Sequence, residues 1–68
     1  MTDKKAKFLI DQLNPVIKNS FGVVRRLAID YDNQDITFKN AFGAILERVY
    51  YADRDTMKVL KDVVDNLF

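Results

Sequence analysis

Ile17, Phe21, Val24, Ala28 and Tyr31 recur at intervals of 4, 3, 4 and 3, and Phe38, Phe42, Ile45, Val49 and Ala52 repeat those intervals 21 residues later. Spacings of three and four keep apolar side chains on one stripe of an α-helix, and a displacement of three heptads preserves the phase. The echo extends to residue identity. Lys18-Asn19-Ser20-Phe21-Gly22 answers Lys39-Asn40-Ala41-Phe42-Gly43, and Asp32 and Asp53 share the same offset. The pattern predicts two related helices, over 15–31 and 36–52.

A shorter helix is expected before them over residues 3–13, where Ala6, Phe8, Leu9, Ile10 and Leu13 recur behind a cap at Thr2 or Asp3. Asn14-Pro15 reads as the start of the next helix, because asparagine caps free N–H groups and proline lacks one; a single helix kinked at Pro15 is the alternative. A last helix follows Asp53 as cap, with Asp55 in its first turn. Its inner stripe is Met57, Leu60, Val64 and Leu67, widened by Val59, Val63 and Phe68.

The chain is therefore expected to form a single helical domain over 1–68. It would be an all-α three- to four-helix bundle packed around Ile17, Phe21, Val24, Phe42, Ile45, Val49, Leu60, Val64 and Leu67. One passage competes. Leu27 to Asp32 alternates apolar with small or polar side chains, Asp32-Asn33-Gln34-Asp35 is rich in turn formers, and Ile36 to Lys39 alternates again. That is the signature of an α+β helix–hairpin–helix fold with strands near 26–32 and 36–40. The helical period held from Ile17 to Tyr31, and the helix-favouring run Ala44-Ile45-Leu46-Glu47-Arg48-Val49, set the bundle ahead of it.

Sixty-eight residues without cysteine or histidine exclude disulfide staples, zinc-finger spacings and thiolate or imidazole chemistry. A domain this short has a thin core, so dense packing or self-association must supplement it. Catalysis is the least supported class. A nucleophile would have to be Ser20, Thr2, Thr37 or Thr56, and none sits in an activating motif. Asp30, Asp32 and Asp35 begin like a calcium loop, but Asp35 stands where that loop needs glycine and Ala41 where it needs glutamate. No cofactor, metal or small-molecule substrate is inferred. The short apolar runs show neither an export signal nor a membrane anchor, so the expected setting is the cytoplasm, without a membrane partner.

Binding remains. Net charge is +1, yet residues 1–29 carry six cations against Asp3 and Asp11, for +4, and residues 30–68 carry five against eight acids, for −3. Such asymmetry suits contact with a polyanion or antiparallel self-association. Gly22 and Gly43 fall at matched positions where a helix interior gains nothing from glycine, which points either to close approach by a partner or to helix caps. Val23, Ile29 and the adjacent Tyr50 and Tyr51 fall off the inner stripes and leave a surplus of large apolar groups. These six residues are the expected contacts of a homodimer or of another protein, and the expected function is that of a small non-enzymatic regulator or adaptor. The alternative is nucleic-acid binding along Lys4, Lys5, Lys7, Lys18, Asn19, Arg25, Arg26 and Lys39, although a sequence pI near 8.0 is modest for a dedicated binder.

Overall fold

Alternation prevails over helical periodicity through the middle of the chain. The computed structural model describes residues 1–19 and 22–67 and runs α1 (Asp3–Lys18), β1 (Arg26–Asp30), β2 (Asp35–Lys39), β3 (Ile45–Tyr50) and α2 (Thr56–Leu67). The strands form an antiparallel meander in the order β1-β2-β3. Leu27 is paired with Phe38, and Ile29 with Ile36 and Ile36 with Val49, so these side chains share one face. That face packs against Ala6, Ile10 and Ile17 of α1 and Val59 and Val63 of α2, joined by Tyr51 after β3. The fold is thus two layers, with both helices on one side of the sheet.

The all-α three- to four-helix bundle is not what the chain forms, and the helices expected over 15–31 and 36–52 are absent. The hairpin of the competing reading is present, and a third strand that neither reading contained takes up Ile45 to Tyr50. Side-chain chemistry at the turns accounts for the outcome. Asp30 accepts hydrogen bonds from the Asn33 backbone N–H at 3.2 Å and side-chain amide at 2.8 Å, and Gln34 turns the chain with φ of 56°. Of the expected core, Ile17 and Val49 are buried, Val24, Leu60, Val64 and Leu67 are half-buried, and Phe42 and Ile45 are exposed. Phe21 and Phe68 lie outside the described residues.

The helix ends agree with expectation at Thr2 and differ from it at Pro15 and at Asp53. Thr2 caps α1, its hydroxyl accepting from the Lys5 N–H at 3.2 Å. No second helix starts at Pro15; α1 continues through it to Lys18. The reason is Asn14, whose amide faces β1 rather than the next turn. Its Nδ2 donates to the Leu27 carbonyl at 3.1 Å, and its Oδ1 accepts from the Leu27 N–H at 2.7 Å. At α2 the cap is Asp55, which accepts from the Met57 N–H at 2.8 Å, while Asp53 occupies a left-handed bend with φ of 57°. Arg54, between them, bonds Asp62 of α2 and the Tyr50 carbonyl.

Both outer strands have polar backbone groups engaged by side chains. On β1 Asn14 takes both groups of Leu27. On β3 the Glu47 carboxylate accepts from the Arg48 N–H at 2.9 Å, and Arg54 donates to the Tyr50 carbonyl at 2.8 Å. Unpaired strand edges are templates for pairing with other chains, and these contacts blunt them. Asn14→Ala removes two hydrogen bonds between α1 and the sheet and is expected to cost about 1–3 kcal/mol of stability in urea unfolding. Asn14→Asp, which keeps the acceptor and loses the donor, should fall between that variant and the wild type.

Candidate functional site

The antiparallel run of α1 and β1, fixed by the Asn14–Leu27 contact, brings the end of the helix beside the start of the strand. Register then sets Lys39 opposite Arg26. Lys18, Arg25, Arg26 and Lys39 therefore gather at one end of the molecule, and no acidic residue occurs in segments 12–29 and 36–46 that build it. Lys4, Lys5 and Lys7 are left at the opposite end of α1, roughly 20 Å away along the helix. Lys7 is further occupied by Asp11, at 2.7 Å. Asn19 does not extend toward a ligand. Its Nδ2 donates to the Pro15 carbonyl at 3.2 Å and closes the helix.

The β2–β3 turn stands at the same end. Asn40 organises it: Oδ1 accepts from the N–H groups of Phe42 at 2.9 Å and Ala44 at 3.0 Å, while the Asn40 carbonyl accepts from Gly43 N–H at 3.1 Å. Gly43 has φ of 81°, a left-handed conformation that favours glycine. It is a turn residue whose left-handed conformation calls for glycine, and a side chain there would meet nothing of its own chain within 4 Å. The turn presents Phe42 at 95 % exposure. Beside it a hollow of about 310 Å³ is lined by Gly22, Val23, Arg25, Asn40, Ala41 and Phe42. Val23 is 73 % exposed, and Ile45 and Leu46 continue the apolar surface along β3. Lys18 and Asn19 of the first matching pentapeptide thus end a helix and its Gly22 lines the hollow, whereas Lys39 to Gly43 of the second leave a strand at the same end.

The remaining expected contacts are dispersed. Ile29 is half-buried and packs against the core from the helix side of the sheet. Tyr51 is wholly buried, its hydroxyl donating to Asp3 at 2.6 Å. Burial, and then the Asp3 carboxylate, push its phenol pKa up. It is a core residue that ties the start of α1 to the end of β3. Tyr50 lies on the face turned away from the helices.

That open face has its own chemistry, which sequence reasoning missed. Thr37 lies on it yet is 2 % exposed, donating to the Ala28 carbonyl at 3.2 Å. Its cover is Arg48, whose guanidinium crosses β2 from β3 to reach Asp30 at 2.9 Å and Asp35 at 3.5 Å. Asp30 is held down at about 2, first by the Asn33 side chain and next by Arg48. Asp30 and Asp35 thus serve an ion pair, and among the described residues no group of three acidic side chains could hold a metal ion. A second hollow of about 460 Å³ lies on this face, between Asp30 and Asp32 at one end and Lys39 and Ile45 at the other.

No helix among the described residues is long and apolar enough to cross a membrane. No protein-family model, curated protein sequence or solved structure matches this chain.

Two measurements check the geometry. Gly43→Ala places a side chain at φ of 81° and is expected to lower stability by about 1 kcal/mol, whereas Gly43→Asn should lose less. The carboxyl of Asp30 lies below its ordinary 3.8, at about 2, so its stabilising effect is complete above 3.8 and disappears as pH falls through 2. The thermal midpoint should drop across that window, and the drop should be shallower in Asn33→Ala and in Arg48→Met.

Proposed function

We propose that this chain is a small non-catalytic regulator or adaptor that docks on another protein through the end bearing Phe42 and Val23. The observation that carries the reading is Phe42, 95 % exposed on a turn held by Asn40. An aromatic ring kept in water by a well-bonded turn costs the isolated chain solvation energy. Seating it in a partner's pocket would recover about 1.5–3 kcal/mol. Arg25 lines the hollow beside the ring, and Arg26 and Lys39 stand at the same end, which suits a partner whose pocket is rimmed by Asp and Glu. A cytoplasmic setting is part of the proposal.

A second reading, nucleic-acid binding, draws on the convergence of Lys18, Arg25, Arg26 and Lys39 at that end. It predicts binding that weakens steeply with salt and is lost in Arg25→Ala/Arg26→Ala.

The test is capture from the native host with wild type and Phe42→Ala side by side, followed by titration of the purified partner. Phe42→Ala should keep the wild-type thermal midpoint and bind at least tenfold more weakly, a loss of about 1.4 kcal/mol. Equal binding by both proteins would refute the docking role. Salt-sensitive retention of DNA or RNA fragments, with no protein retained, would transfer the function to the second reading.

A further inference from the structure

The helices cover one face of the sheet and leave the other open, and that open face is polarised along its strands. At one end stand Arg26 and Lys39, paired in register; at the other stand Asp30, Asp32 and Asp35. Arg48 offsets one of the three carboxylates, which leaves two negative charges against two positive ones. Arg26, Lys39 and Asp32 form no ion pair among the described residues. Between the charged ends lie the half-buried Ala28 and the buried Thr37 beside the hollow of about 460 Å³, while the exposed Ile45 stands opposite Lys39 at the cationic end and the exposed Tyr50 opposite Asp35 at the acidic one.

We propose that this face is a self-association surface, on which two copies of the chain pack sheet to sheet about a two-fold axis lying across the strands. The charge distribution selects this symmetry. A two-fold axis parallel to the strands would set the cationic ends against each other, whereas an axis across them sets Arg26 and Lys39 of each copy over the acidic end of the other. The ends are about 14 Å apart, four residues of extended chain, and packed sheets stand about 10 Å apart, a gap that arginine and aspartate side chains span together. Association by strand addition is disfavoured because Asn14, Glu47 and Arg54 engage backbone groups on the outer strands.

This inference shares Arg26 and Lys39 with the Phe42 end but does not use Phe42 or Val23, so the wild-type mass and the Asp32→Lys variant test it separately from the docking role. Its test is sedimentation equilibrium of the full chain over a wide concentration range, at low and high salt. The wild type should form a dimer whose dissociation constant rises with salt. Arg26→Glu reverses one charge and neutralises the cationic end, and Asp32→Lys likewise neutralises the acidic end; each alone should weaken association at least tenfold. In an equimolar mixture of the two variants each reversed side chain faces the other, and both contacts of the pair are attractive again. The mixture should regain wild-type association. A wild-type mass that stays monomeric at millimolar concentration overturns the proposal, and because it needs no variant it is immune to a folding defect. A dimer indifferent to both substitutions, or a mixture no tighter than its components, overturns it as well.

Discussion

The two hydrogen bonds between Asn14 and Leu27 are the constraint from which the arrangement follows. An amide on a helix stands in for a neighbouring strand, giving Leu27 both an acceptor and a donor. That single contact docks α1 on the sheet and sets its height along β1. With the height fixed, Ala6, Ile10 and Ile17 meet Leu27, Ile36 and Phe38 in one core, and the cationic residues on either side of the loop converge. At the far end of α1 the Tyr51 hydroxyl bonds Asp3, so the helix is held at two points.

The helices at the two ends of the chain were legible because their signals are local. Thr2 caps as expected, and the last helix forms, although it buries Val59 and Val63, expected at the edge of its stripe, and leaves Met57, expected at the centre, exposed. The middle misleads for a physical reason. Phe42 and Ile45 complete a helical spacing with Val49 only if they are read as core, and both are exposed. A surface that presents large apolar groups imitates an inner stripe, since periodicity cannot tell which apolar residues are buried. Alternation at Leu27, Ile29, Ile36 and Phe38 carried the true register, and Asn40 three residues before Gly43 was the turn signal within the pentapeptide. The Arg48 pairing with Asp30 and Asp35 could not be read at all, because it depends on which strands are neighbours.

The molecule divides its surface by chemistry. Apolar and cationic groups share one end through the loop before β1 and the β2–β3 turn, while the β1–β2 turn and the approach to α2 carry carboxylates. The +4 and −3 of the two sequence halves do not carry over as a division in space, because Lys39 returns from the acidic half to Arg26 while Lys4, Lys5 and Lys7 lie at the other end of α1.

An outer strand ordinarily frays one residue at a time, since water replaces what its free side lacks. Here Leu27 cannot release its N–H to solvent unless Asn14 leaves with the helix that carries it. Loosening of β1 and departure of α1 are therefore one event. The backbone amide of Leu27 reports that event: its hydrogen exchange follows the opening of the helix–sheet interface, and an edge residue acquires the slow exchange of an interior one.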